Sequence, residues 1–178
     1  MHSTSDNTTT ALLVIDVQQG LFQQSRPVHQ AEQLLSNLET LIQGAQQAQV
    51  PVIFIQHSNQ KQLVKDTPAW QLHPHLIPLA DEPLIHKQHG NAFEKTNLQA
   101  ELQARGVNRV LITGLVTQGC VRATCLGALR LGYQVILVSD AHSTYSKDAA
   151  KVIEKWNQEL QGKGAELRET TQIDFTDM

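Results

Sequence analysis

The chain has 178 residues, 40% of them apolar, enough for one ordinary domain with a sizeable core. Fourteen basic residues against seventeen acidic ones leave a net charge of -3 without a basic cluster, so the electrostatic footprint of a nucleic-acid binder is missing. No apolar run approaches a membrane span, the opening MHSTSDNTTT lacks the apolar segment of a secretory signal, and two cysteines, Cys120 and Cys125, make no disulfide framework. These features predict a cytoplasmic protein without nucleic-acid or membrane partners. Residues 1–10 are expected to form a disordered tail and residues 11–178 a single domain.

Residues 11–17 (ALLVIDV) are almost continuously apolar, as a parallel strand buried on both faces should be. Asp16 interrupts that run near its end. A carboxylate there is costly to desolvate unless it is paired or at work; otherwise it stands solvated past the strand or caps a helix. Residues 18–27 read as a loop carrying Phe22. Apolar side chains then recur at Ala31, Leu34, Leu35, Leu38, Leu41, Ile42 and Ala45, the period of a helix over 29–47 with a Gln-rich outer face. Pro51 opens a second buried strand over 52–56, ended by His57. Residues 61–83 show little periodicity and hold Pro68, Pro74, Pro78 and Pro83, the composition of a long binding loop or lid. Within it, His73 and His75 lack a third metal ligand, and the segment around Trp70 is expected to offer a partner surface.

A short strand over 84–86 precedes Lys87, and a helix over 94–105 is stopped by Gly106. Strands over 108–113 and 134–139 follow, the second ending at Asp140. An amphipathic helix over 148–160 bears Val152, Ile153 and Trp156, and an edge strand covers 165–168. Strands alternate with helices throughout and no segment repeats. The fold class is therefore α/β, a three-layer α/β/α arrangement on a mostly parallel, about six-stranded, Rossmann-like sheet.

The stretch over 110–131, VLITGLVTQGCVRATCLGALRL, organises the chain. An apolar strand leads through Gly114 and a short turn to Cys120, then into a small-residue helix. A cysteine at a helix N-terminus faces unpaired N–H groups and the positive end of the macrodipole, which favour the nucleophilic thiolate; a buried structural cysteine is the alternative. In an open α/β sheet, ligands bind outside the carboxyl ends of the strands. Asp16, His57, Lys87, Cys120 and Asp140 all follow strands and would share that edge. An acid, an ammonium and a thiol converging there supply a base, a charge stabiliser and a nucleophile.

Those residues resemble the isochorismatase-like cysteine hydrolases, a family that includes nicotinamidases and N-carbamoylsarcosine amidohydrolases. The resemblance covers residues 11–146 and rests on LLVIDVQQGLF, KQHGNAFEKTNL, GVNRVLITGLVTQGCVRATCLGAL and GYQVILVSDAHST. It implies a catalytic triad of Asp16, Lys87 and Cys120. It also implies a cis peptide at Val116–Thr117 and an oxyanion hole made by the backbone N–H groups of Thr117 and Cys120. Phe22, His57, Phe93 and Gln118 are the expected pocket residues, and a homo-oligomer, dimer or larger, is the expected assembly. Metal-dependent nicotinamidases carry an Asp-x-His motif after the second strand. The corresponding IQHSN holds Gln56 and His57 but no aspartate, so neither a catalytic metal nor another cofactor is expected. The resulting expectation is a hydrolase that cleaves a C–N amide bond of a small molecule through a thioester. A vinyl-ether hydrolase acting on isochorismate and a non-catalytic ligand-binding member of the fold are the alternatives.

Overall fold

A computed structural model describes residues 8–178. Its sheet holds β1 (Thr10–Ile15), β2 (Val52–His57), β3 (Leu84–Lys87), β4 (Arg109–Leu115), β5 (Gln134–Ser143) and β6 (Glu166–Arg168). They lie in the order β3-β2-β1-β4-β5-β6, and each neighbouring pair is parallel. The helices are α1 (Gln19–Phe22), α2 (Ala31–Gln47), α3 (Leu98–Ala104), α4 (Arg122–Arg130) and α5 (Ala149–Gly162). None among the described residues is long and apolar enough to cross a membrane.

The continuous apolar run of β1 follows from burial on both faces. Alternate side chains point to opposite sides of a strand. Leu12 and Val14 accordingly join Phe54 and the α2 residues Leu34, Leu38 and Leu41 in one cluster. Ala11, Leu13 and Ile15 join Leu98, Leu102, Cys125, Ala128 and Leu160, from α3, α4 and α5, in the other. Each leucine so buried contributes about 2 kcal/mol of transfer free energy.

Several boundaries differ from the sequence reading, each for a local reason. Thr10 pairs in register with Arg109, and the Thr9 N–H donates to Asn108 Oδ1 at 3.0 Å, so residues 9 and 10 are not a disordered tail. Residues 1–7 of that expected tail lie outside the described residues. Gln30 and Lys95 take left-handed φ values of 49° and 53°, which a right-handed helix cannot continue through, so α2 starts at Ala31 and α3 only at Leu98. β5 runs on past Asp140 because, after a register shift, His142 and Ser143 pair with Gly114 and Leu115 of β4.

The strand order reverses direction between β1 and β4, which places the ligand cleft of such a sheet over their carboxyl ends. Gly114 permits the close approach there. Its φ is 113°, and a Cβ would lie 2.1 Å from the Ile15 carbonyl oxygen. Gly106 has a φ of 66° but nothing within 4 Å of a Cβ. Gly114→Ala is therefore expected to destabilise the fold by about 3 kcal/mol or more, and Gly106→Ala by about 1 kcal/mol. Thermal melts of the two variants check this; equal shifts would contradict it.

Candidate active site

Asp16, the first residue beyond β1, has a left-handed φ of 52°, a conformation that aspartate tolerates better than most side chains. It turns the chain off the strand, and the residue is 2% exposed. Lys87 is the last residue of β3, two strands away. In β3, Leu84 and His86 are exposed whereas Ile85 and Lys87 are buried, so Lys87 shares the inward face with Ile85. At about 4.8 Å per strand, β3 is about 10 Å from β1. A lysine is long enough to cross above β2, and its Nζ lies 2.9 Å from Asp16 Oδ2.

The same ammonium donates to Cys120 Sγ at 3.1 Å and lies 3.1 Å from His57 Nδ1. An ammonium has three protons, and here each has an acceptor. His57 is held below its usual pKa by burial and by the adjacent Lys87 charge, so it stays neutral and Nδ1 accepts. Asp16 Oδ1 is buried and has no hydrogen-bond partner among the described residues. One carboxylate oxygen is thus tied to Lys87 while the other keeps a free lone pair. Atoms of Asp16, His57 and Cys120 all lie within 4.8 Å of one another.

Cys120 is not at the N-terminus of α4. It lies inside a widened turn, Thr117–Val121, and α4 begins at Arg122. Gly119, with φ -107° and ψ -109°, breaks the helical path just before it. Burial and the neighbouring Asp16 carboxylate push the thiol up to about 12, against the pull of Lys87. Burial and Asp16 thus oppose the local helix-terminus preference for thiolate and favour the protonated thiol. The cis peptide is also one bond earlier than expected, at Leu115–Val116 rather than Val116–Thr117. β4 ends at Leu115, and the turn takes over at Val116, whose carbonyl accepts from the Gly119 and Val121 N–H groups.

This cluster occupies the edge where the sheet reverses. A family model for the isochorismatase domain matches residues 10–170. The chain belongs to the isochorismatase family of hydrolases. A streptothricin hydrolase of Streptomyces noursei is 35% identical over 142 residues, 79% of this chain and 51% of that protein. The chain thus spans about half the length of that relative. Nicotinamidase 3 of Arabidopsis thaliana is 28% identical over 155 residues, 78% of this chain and 75% of that one. The crystal structure of an isochorismatase from Pseudomonas putida KT2440 superposes with a TM-score of 0.85 at 25% identity, over 92% of this chain and 89% of that one.

Within this isochorismatase-family site the other expected residues separate. His57 touches Lys87. Phe22, on α1 just beyond β1, stacks on His73 with ring centroids 4.6 Å apart, which ties α1 to the loop over 61–83. Gln118 lies in the nucleophile turn, and its Oε1 is buried without a partner among the described residues. Phe93 stacks on Tyr133 with ring centroids 5.7 Å apart. Asp140 does not join the triad; its carboxylate accepts from the N–H and hydroxyl of Thr170, each at 2.8 Å, and pins the C-terminal segment. Trp70 itself is buried, edge-on to His86. Exposed apolar side chains in that loop are Val64, Ile77 and Leu79.

Two supporting residues had no signal in the sequence. Gln18 is fully buried. Its amide donates to the His57 and Trp70 carbonyls at 2.9 and 2.8 Å, and its Oε1 accepts from the His57 N–H. It thereby fixes the backbone of His57 and closes the loop over the site. His142, on β5, reaches the nucleophile turn from the other side.

Proposed function

We propose that the protein is a cysteine-dependent amidohydrolase acting on a small molecule through a thioester. The observation that carries this reading is the asymmetry of Asp16: Oδ2 is held by Lys87, Oδ1 is buried without a partner among the described residues, and a carboxylate oxygen lies within 4.8 Å of Cys120 Sγ. Asp16 takes the Sγ proton as sulfur attacks the amide carbon. A general base that acts during attack suits a thiol pushed up to about 12, because little free thiolate exists at neutral pH. The Thr117 and Cys120 backbone N–H groups hold the developing oxyanion, each worth about 3 kcal/mol at the transition state. As the C–N bond breaks, Asp16 returns the proton to the departing nitrogen. Water then attacks the thioester and gives a proton to Asp16. The acid product leaves, and the thiol recovers its proton. Lys87 holds Asp16 Oδ2 in place between steps and offsets the charge that builds on sulfur.

The name of the nicotinamidase relative supports an amide as substrate. Asp16, His57 and Cys120 are also the one group among the described residues with metal-ligand spacing. The Lys87 ammonium stands among them at 2.9–3.1 Å, so a bound cation would meet a like charge. The reaction is therefore proposed to be metal-free and to run in a reducing compartment, where a nucleophilic thiol persists. A panel of small amides, assayed for ammonia or amine release, should yield a substrate whose turnover survives EDTA. Loss with EDTA and recovery with zinc, iron or manganese would contradict the scheme. Turnover of isochorismate retained by Cys120→Ala would identify a vinyl-ether hydrolase instead.

The assembly is proposed to be a homo-oligomer. Ile77, 78% exposed, and Leu79, 52% exposed, supply apolar surface in the loop over 61–83. Light scattering at micromolar concentration should report at least twice the 19.8 kDa chain mass; a 19.8 kDa particle would refute it.

A further inference from the structure

His57 and Lys87 close the neighbouring strands β2 and β3 as register partners, and the Ser58 N–H donates to the Lys87 carbonyl at 2.9 Å. Register partners point to the same face of a sheet, so the His57 ring stands on the path that Lys87 takes across β2 to Asp16. Its Nδ1 meets the ammonium at 3.1 Å. Burial first, then the Lys87 charge, hold the ring neutral, while the Asp16 charge and a hydrogen bond to the His89 backbone pull the other way. With Nδ1 accepting, the one ring proton sits on Nε2, which donates to the His89 carbonyl. The backbone of His57 is fixed as well: fully buried Gln18 accepts from its N–H and donates to its carbonyl, both at 2.9 Å.

An ammonium can turn about its Cε–Nζ bond. Three acceptors at 2.9, 3.1 and 3.1 Å stop Lys87 from doing so. Two of the three change during the proposed reaction. Cys120 Sγ carries the acyl group for part of the cycle, and Asp16 carries a proton in each tetrahedral intermediate. Each is then a weaker acceptor. His57 is altered at no step, so it is the constant hold on the ammonium.

We infer that His57 is a positioning residue for hydrolysis: its Nδ1 holds one proton of Lys87, which keeps the other two directed at Asp16 Oδ2 and Cys120 Sγ. The inference rests on the amidohydrolase reading. His57 acts through Lys87 and moves no proton itself.

The test compares His57→Leu, which removes the acceptor and keeps most of the bulk, with His57→Asn, whose Oδ1 can take the place of Nδ1. Each is assayed for kcat and KM on a small amide and for Cys120 alkylation by iodoacetamide, a reaction that needs no substrate. His57→Leu should lower kcat about 10- to 100-fold, the range for one hydrogen bond to a charged group, with KM within about twofold of wild type. Alkylation should slow about three- to tenfold, because Lys87 is the neighbour that lowers the thiol's pKa. His57→Asn should recover most of both losses. If His57→Leu does not fold, His57→Ala takes its place, and added imidazole should then restore kcat and alkylation. Wild-type kcat and alkylation in His57→Leu, or a His57→Asn variant as impaired as His57→Leu, would overturn the positioning role. Wild-type turnover that does not depend on Cys120 would overturn the amidohydrolase reading and the role in hydrolysis with it; Cys120-dependent turnover that His57→Leu leaves unchanged would overturn the positioning role alone.

Discussion

Asp16→Asn should lower amide turnover about a thousandfold, within the range expected for loss of a general base, and at the same time speed the alkylation of Cys120. Turnover falls because Asn cannot take the Sγ proton through the position of Oδ1. Alkylation rises because the carboxylate is one of the two causes that hold the thiol up to about 12, and removing a negative neighbour eases ionisation. The opposite signs separate this account from simple disruption of the site, which would lower both. The variant also leaves the Lys87 ammonium buried without its counter-charge, a cost of about 3 kcal/mol in unfolding free energy. Steady-state kinetics and timed iodoacetamide labelling on one preparation provide the check; parallel losses in both would contradict the assignment.

Lys87→Met carries the second large effect. The Asp16–Lys87 pair is almost wholly buried, with side-chain exposures of 3% and 0%. Breaking such a pair from one side strands the other charge and typically costs about 3–5 kcal/mol. Asp16 then loses the contact that holds its carboxylate in place, and Cys120 loses the one neighbour that lowers its pKa. Stability, turnover and alkylation should all fall. The double variant Asp16→Asn/Lys87→Met should recover part of the stability, because neither charge remains, and stay inactive. Urea unfolding of the four proteins measures the coupling; additive losses would mean that the ion pair is not what holds the site.

The same site sets a pH dependence. Alkylation of wild-type Cys120 should rise about tenfold per pH unit from pH 7 to 10, because the thiolate fraction grows toward a value near 12. A plateau near pH 7 would show a resting thiolate. Cys125, fully buried in α4 and raised further by desolvation, should stay unlabelled until the protein unfolds.

Most of the layout was legible in the sequence. Strand periodicity located all six strands, and the polar residues closing β1, β3 and β4 identified the edge where Asp16, Lys87 and Cys120 meet. The inward direction of Lys87, shared with Ile85, was not legible, because LIHK has an apolar residue on each face. The thiol's ionisation was not legible, because desolvation and the distance to Asp16 are tertiary quantities, whereas the helix-terminus argument used only local chain. The polar run SDAHS hid the second half of β5, since its backbone pairing with β4 depends on a register shift that no side-chain pattern records. Gln18 and His142 were missed for a related reason: a fully buried polar residue with all its partners far along the chain looks like a loop residue in sequence.

The most direct test of the cysteine mechanism is intact-mass analysis of acid-quenched wild-type protein during turnover of a small amide. A mass increase equal to the acyl group, mapped to the Cys120 peptide and absent from Cys120→Ala, is the predicted result. Turnover that continues in Cys120→Ala, with no acyl adduct on the wild-type protein, would contradict it.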